Sequence, residues 1–237
     1  MLTNHLNSLL RRFIVKSSTL ERANKEINAL SELLRFRSNS QSEYFQDIWV
    51  AKSIGRDGFF VEFGAADGRT ISNTYLLESE LGWNGILAEP CRAFHPQLAK
   101  NRTCIIDHRA VWTSSGDKLT FSESKDAFLS GVSSTQYLNA GIPTTGTYPV
   151  VTVTLSDLLK EHNAPRTIDF LSIDTEGGET EILKDFLTEG DYHVKLICIE
   201  HSWRREDNHL LGWMHSKGFR RVYENIPSRD FWFENTH

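Results

Sequence analysis

Five short, almost wholly apolar runs punctuate this chain: Phe59-Phe60-Val61-Glu62-Phe63, Gly85-Ile86-Leu87-Ala88, Thr103-Cys104-Ile105-Ile106, Ile168-Asp169-Phe170-Leu171-Ser172-Ile173 and Val194-Lys195-Leu196-Ile197-Cys198-Ile199. Runs of this kind suit strands buried on both faces. Helix-like segments separate or follow them at residues 73–81, 95–101, 156–162, 179–187 and 207–217, and another precedes them at 42–53. Strand–helix alternation predicts an α/β fold with a mainly parallel sheet and helices on both sides. The tail from Arg220 to Phe233 reads as two strands joined near Pro227-Ser228, giving the sheet an antiparallel edge. With 237 residues, 39% of them hydrophobic, the chain can bury one full core and carry a short extension.

That extension is residues 1–40, where seven Lys and Arg face three Glu although the whole chain carries −5. Leu2, Leu6, Leu9 and Phe13 form one helical stripe, and Leu20, Ala23, Ile27, Leu30 and Leu34 a second. An amphipathic helical hairpin is expected, packed on its own domain or serving a homodimer; a basic membrane-surface helix is the competing reading. Residues 41–237 form the second expected domain. Within it, residues 113–150 are rich in Ser, Thr and Gly, with one strand expected at 118–122 and otherwise a lid or substrate-facing insertion.

Chemistry concentrates where the strands end. The first runs into Glu62-Phe63-Gly64-Ala65-Ala66-Asp67-Gly68. Small residues there let a ligand approach the backbone closely before the chain turns into the next helix, with Ser72 as cap and Asn73 in its first turn. The spacing is not G-x-G-x-x-G, and Asp67 opposes a pyrophosphate. Glu62 and Asp67 suit a cationic ligand, and S-adenosyl-L-methionine carries a sulfonium and an ammonium without phosphate. The second strand ends in Glu89-Pro90, 21 residues past Gly68, where a carboxylate accepts hydrogen bonds from both hydroxyls of a ribose. Residues after the third strand, Ala110 among them, are placed beside an adenine.

The fourth strand ends in Asp174-Thr175-Glu176-Gly177-Gly178-Glu179 and the fifth in Glu200-His201. Open α/β sheets bind ligands at this edge. His201, assisted by Asp174 or Glu176, is the expected general base. Asp174, Glu200 and His201 are alternative ligands for a divalent cation, Mg²⁺ or Mn²⁺.

Taken together, these pieces resemble the FkbM-type methyltransferases, a branch of the class I S-adenosylmethionine-dependent methyltransferases. The resemblance covers roughly residues 41–225. It rests on Tyr44-Phe45-Gln46-Asp47, on Phe60 through Gly68, on Ser72-Asn73-Thr74 with Leu77-Glu78, on Gly82-Trp83-Asn84-Gly85, on Glu89-Pro90 and on Asp174 through Glu179. Phe45 departs from the glycine that many members carry before Gln-Asp. The resemblance implies a seven-stranded Rossmann-like sheet with a reversed last strand. It also implies O-methylation of a sugar, polyketide or related metabolite, and a cofactor set of Glu62, Gly64, Asp67, Asn73 and Glu89. It settles neither the base nor the metal.

Two rivals stay open on sequence alone: an NAD(P)-dependent oxidoreductase on a similar sheet, and a catalytically silent scaffold recruiting a partner through residues 1–40. The net charge of −5 argues against a nucleic-acid partner and for a small-molecule or glycan acceptor. No run reaches the ~20 apolar residues of a membrane span, and the N-terminus lacks the pattern of a signal peptide. Cys91, Cys104 and Cys198 have no ligand spacing and read as buried free thiols. A cytoplasmic protein is expected.

Overall fold

The computed structural model describes residues 36–134, 143–201, 206–224 and 229–237. The chain divides between Ser40 and Gln41, and only the second unit is described below. The two helical stripes expected before residue 35, and the joint at Pro227-Ser228, lie outside the described residues.

The main sheet has seven strands: β1 (Phe59–Phe63), β2 (Asn84–Ala88), β3 (Ile105–Asp107), β8 (Thr167–Ile173), β9 (His193–Glu200), β10 (Phe219–Val222) and β11 (Asp230–Asn235). Their order is β10-β11-β9-β8-β1-β2-β3. β1, β2, β3, β8 and β9 pair in parallel. β11 runs antiparallel to both β9 and β10. The reversed strand is therefore one place in from the edge, inserted between β9 and β10. This is the seven-stranded, mainly parallel, Rossmann-like sheet that the sequence predicts.

Among the described residues of this unit, six helices accompany it: α1 (Gln46–Ser53), α2 (Tyr75–Leu81), α3 (His95–Asn101), α4 (Leu155–Glu161), α5 (Glu179–Glu189) and α6 (Glu206–Ser216). Period-two alternation along β1 divides its side chains. Val61 and Phe63 join a core with Leu158, Leu183, Phe186 and Met214, from α4, α5 and α6. Phe60 and Glu62 face the other way. There the Arg102 guanidinium lies 5.3 Å from the Phe60 ring, and Trp49 of α1 meets Phe170 of β8 edge-on at 6.1 Å. Local chemistry sets the helix ends: Thr154 accepts from the Asp157 N–H at the start of α4, and Gly190 closes α5 at φ +72°.

The serine- and threonine-rich insertion is more ordered than the sequence suggests. β4 (Ala110–Val111), β5 (Lys118–Ser124), β6 (Gly131–Val132) and β7 (Thr144–Val153) form a second sheet in the order β4-β7-β5-β6. The ten-residue β7 was not foreseen, because its Thr-Thr-Gly-Thr start lacks a strand's apolar signal and Pro149 interrupts its middle. Pairing with β5 from Lys118–Val151 to Ser124–Thr144 supplies the order that composition hides.

Candidate active site

A cavity of about 320 Å³ opens where β1, β2, β8 and β9 end. It is built on one close approach. Gly64 follows β1 at φ +79°, and a Cβ there would stand 1.5 Å from the Asp174 carbonyl oxygen. Only glycine lets these two strand ends lie side by side. The Gly64 N–H donates to Ala88 O (3.1 Å) and the Asp174 N–H to Phe63 O (3.1 Å), which locks the three strand ends together.

A buried network holds the far side of the bend. Glu62 accepts from the Asn73 N–H (2.8 Å), from Ser72 Oγ (2.9 Å) and from Thr74 Oγ1 (2.6 Å). Ser72 Oγ in turn accepts from the Thr74 and Tyr75 N–H groups, but α2 starts at Tyr75 with Thr74 as its N-cap, two residues later than the expected cap at Ser72. Beneath sits Arg102, whose side chain has no exposure. It donates to Gly68 O, Ser72 Oγ, Thr74 Oγ1 and, at 2.5 Å, to Glu78 Oε2. Burial alone would raise the Glu78 carboxyl; the Arg102 charge and hydrogen bonds from Thr103 hold it down at about 2. Sequence reading missed Arg102, because a lone arginine at a helix end reads as solvated.

The cavity collects most of the residues proposed from sequence: Glu62, Gly64, Ala65, Ala66, Asn73, Glu89, Ala110, Asp174, Glu176 and Glu200 all line it. Three do not. Asp67 turns back on its own loop, accepting from the Arg69 and Thr70 N–H groups and from Thr70 Oγ1. Gly68 lies beneath, against Leu98 and Arg102. His201 is buried with its ring stacked on Phe231 at 3.9 Å. The strand-end position that placed His201 beside the acids is right along the chain. Glu200, the last residue of β9, lines the cavity, whereas His201 lies just past the strand, its N–H donating to Arg229 O and its ring covered by Phe231.

At one end of the cavity, Glu89 is buried and accepts from the Ala66 N–H (2.7 Å) and the Cys91 N–H (2.6 Å). Burial raises its carboxyl to about 7 against the pull of those two donors. Asn73 Nδ2 donates to Ser172 Oγ (3.0 Å), while its Oδ1 is buried and meets no donor among the described residues. The second sheet and its preceding turns supply an apolar wall: Phe121, Phe128 and Val132, with Phe94 and Phe128 in contact at 5.0 Å.

At the other end are the acids. Oxygens of Asp174, Glu176 and Glu200 lie within 4.8 Å of one another. Glu176 thus occupies the place in the candidate cation set that the sequence reading gave to His201. Burial, then the neighbouring Asp174, raises Glu176 to about 8. Burial and Glu176 raise Glu200 to about 8. Burial and Glu200 push Asp174 well above the carboxylate range. Asp230 of β11 also lines the cavity and is raised by burial, while accepting from Gln46 Nε2. Neither Asp230 nor Gln46 was singled out from sequence, since the β9–β11 register that brings them here is set by tertiary pairing. The loop carrying Glu176 is itself unusual, with Glu176, Gly177 and Gly178 all at positive φ. Glu179 Oε1 ties it down, accepting from the Thr175 and Gly177 N–H groups and from Thr175 Oγ1.

A reversed strand inside a parallel sheet, a small-residue bend after β1 and an acid after β2 are what the resemblance to class I S-adenosylmethionine-dependent methyltransferases implies. The sequence model described as "Methyltransferase FkbM domain" matches residues 62–221, well over half the chain, and the protein belongs to that family. No curated protein matches the sequence.

Solved structures similar in fold include the METTL16 methyltransferase domain (14% identity, TM-score 0.46, 81% of this chain and 66% of that one). The ribosomal protein L11 methylase from Lactobacillus delbrueckii subsp. bulgaricus is another (10%, 0.42, 81% and 78%). A third is M. capricolum TrmK in complex with S-adenosyl-homocysteine (12%, 0.40, 81% and 68%). Likenesses this distant carry no conclusion about substrate. Among the described residues, no helix is long and apolar enough to cross a membrane.

Proposed function

We propose that this protein transfers the methyl group of S-adenosylmethionine to a hydroxyl oxygen of a small molecule, a sugar, polyketide or related metabolite. The observation that carries the reading is the set of polar groups that line this cavity. Glu89, at the end of β2, offers a buried carboxyl; Asn73 Oδ1, beside Ser172 of β8, offers an acceptor that meets no donor among the described residues; and the ends of β8 and β9 offer a cluster of acids, Glu176 among them raised to about 8.

Glu89 and Asn73 fit the cofactor. Glu89 retains lone pairs to accept from ribose hydroxyls, and Asn73 Oδ1 accepts from the ammonium. Gly64, Ala65 and Ala66 admit the amino-acid tail, and Phe121, Val132 and Ala110 flank the adenine. The bound cofactor supplies an electrophilic methyl on a good leaving group. The chain aligns the acceptor oxygen with it, excludes water and removes one proton.

An alcohol is a poor nucleophile until that proton leaves, and a base works best with a pKa near ambient pH. Glu176 and Glu200 meet that condition. The base is therefore assigned to Glu176 within the Asp174–Glu200 cluster, in place of His201. The same oxygens suit a divalent cation, which would draw the acceptor oxygen in and lower its pKa.

The test is Glu176→Gln with S-adenosyl-homocysteine affinity measured in parallel. Turnover should fall by roughly 10² or more with affinity held within twofold. Turnover within threefold of wild type removes Glu176 from the role. Methyl-labelled product analysed by NMR must show an O-methyl group; an N-methyl product rejects the reaction class. Loss of activity in EDTA, restored by Mg²⁺ or Mn²⁺, would add the cation.

A further inference from the structure

The Cys91 N–H, which donates to the Glu89 carboxyl, belongs to a turn between β2 and α3 rather than to the sheet. A turn keeps a donor aimed only while its backbone is held. Some of the hold is internal: the Phe94 N–H donates to Cys91 O (3.2 Å) and the His95 N–H to Arg92 O (3.3 Å). His95 Nε2 reaches back to Glu89 O at 3.0 Å. The rest comes from the second sheet.

Tyr148 of β7 supplies it. Its hydroxyl oxygen accepts from the Arg92 N–H at 3.0 Å. The Arg92 guanidinium folds back over the same ring, 4.2 Å from its centroid. The hydroxyl proton is donated to Glu123 Oε2 of β5 at 3.0 Å. β5 and β7 pair here, with Phe121 opposite Tyr148 and their rings 5.5 Å apart. The Cys91 side chain is buried with Ala110, Phe121, Val132 and Val150, and Tyr148 packs against that cluster. Burial pushes the Tyr148 hydroxyl above its usual range, so it stays protonated and keeps donating. The one hydroxyl thus links β5 to the turn, as acceptor on one side and donor on the other. Tyr148 stands behind the cavity wall rather than in it.

We propose that Tyr148 is a positioning residue for the methyl donor: through its hydroxyl the second sheet holds the turn after β2, and so keeps the Cys91 N–H on the Glu89 carboxylate that grips the ribose. This inference rests on the reading of Glu89 as the ribose acceptor and adds the group that sets its strength. A backbone N–H on a carboxylate favours the ionised form. Loosening that donor lets burial raise Glu89 further above about 7. Ribose hydroxyls donate to the ionised form, so affinity climbs with pH through that value.

Other titratable groups around the turn do not mimic this signal. The Asp107 carboxylate is taken up by Arg109 and His162. His95, stacked on His108 at 3.7 Å, is held below its usual range by burial and is mostly neutral above pH 6.5. Burial pushes the Cys91 thiol up. Glu176, Glu200 and Asp230 titrate alike with or without the tyrosine hydroxyl. The test titrates S-adenosyl-homocysteine calorimetrically into the full-length protein from pH 6.5 to pH 8.5. Tyr148→Phe keeps the ring and the Arg92 stack and removes one oxygen. It should bind roughly fourfold or more weaker at pH 6.5, the scale of one hydrogen bond, and within about twofold at pH 8.5. Its melting temperature should fall by no more than about 4 °C. Glu123→Ala should shift the profile the same way without touching the ring, and Glu123→Gln, which keeps an acceptor, should restore it.

A Tyr148→Phe curve that overlays a rising wild-type curve overturns this inference alone. An equal loss at every pH also overturns it, since that is what a damaged wall would give. A wild-type curve flat with pH removes the Glu89 reading and this inference with it. In a Glu89→Gln background the curve should be flat and adding Tyr148→Phe should change affinity less than twofold; a larger change routes the effect around Glu89 and overturns the proposal.

Discussion

Arg102→Met is the sharpest probe of how the cofactor bend is held. The guanidinium lies 2.5 Å from Glu78 and 3.6 Å from Glu62, and those side chains are 12% and 6% exposed. Removing the cation strands two largely buried carboxylates, a change that costs roughly 3–5 kcal/mol for buried pairs. The Glu78 titration gives an independent figure. Its carboxyl is held at about 2 against an ordinary 4.5, worth about 3 kcal/mol at neutral pH and shared between Arg102 and Thr103.

The sign follows from the direction of that shift. A depressed carboxylate stabilises above its unfolded pKa and loses that contribution as pH falls toward its folded value. At pH 3 about 2 kcal/mol of it is gone. Urea denaturation at pH 7 and pH 3 should therefore show a gap between wild type and variant that narrows by up to that amount. The double variant R102M/E78M should recover more than half of the neutral-pH loss, since neither charge of that pair is left alone. A loss under about 1 kcal/mol, the range of a solvated surface pair, or a gap independent of pH, would refute the reasoning.

Other expectations test different parts of the site. Gly64→Ala drives a Cβ into the Asp174 carbonyl; a loss of at least about 2 kcal/mol and no detectable S-adenosyl-homocysteine binding by calorimetry should follow. Glu89→Ala should weaken that ligand at least tenfold at pH 8, and unchanged affinity would remove the ribose assignment. Glu176 and Glu200, each raised to about 8, stabilise the ligand-free protein fully below their ordinary value of 4.5. That contribution falls away as pH climbs through 8. Melting temperature should consequently drop between pH 5.5 and pH 8.5, and Glu200→Gln should flatten the slope.

Much of this was legible in the sequence, and the exceptions have a common cause. Strands β1, β2, β8 and β9 were readable because a doubly covered strand is apolar throughout, and Gly64 and Glu89 because they directly follow such strands. β7 was hidden, since a strand that opens on Thr-Thr-Gly-Thr and carries a proline draws its order from its partner. The choice between Glu200 and His201 turns on where β9 ends and on the long-range partners, Arg229 and Phe231, that take up His201 just beyond it. Asp230 reaches the cavity only through the insertion of β11 beside β9, a pairing no local pattern specifies. Local periodicity revealed the scaffold and the bend, while side chains delivered by long-range pairing stayed out of reach.

The contact between Gly64 and the Asp174 carbonyl leaves no slack between two halves of the machine. With no side chain to act as a cushion, the turn after β1 and the loop presenting the acids cannot move independently, so a substitution that displaces either one is felt by the other through backbone alone.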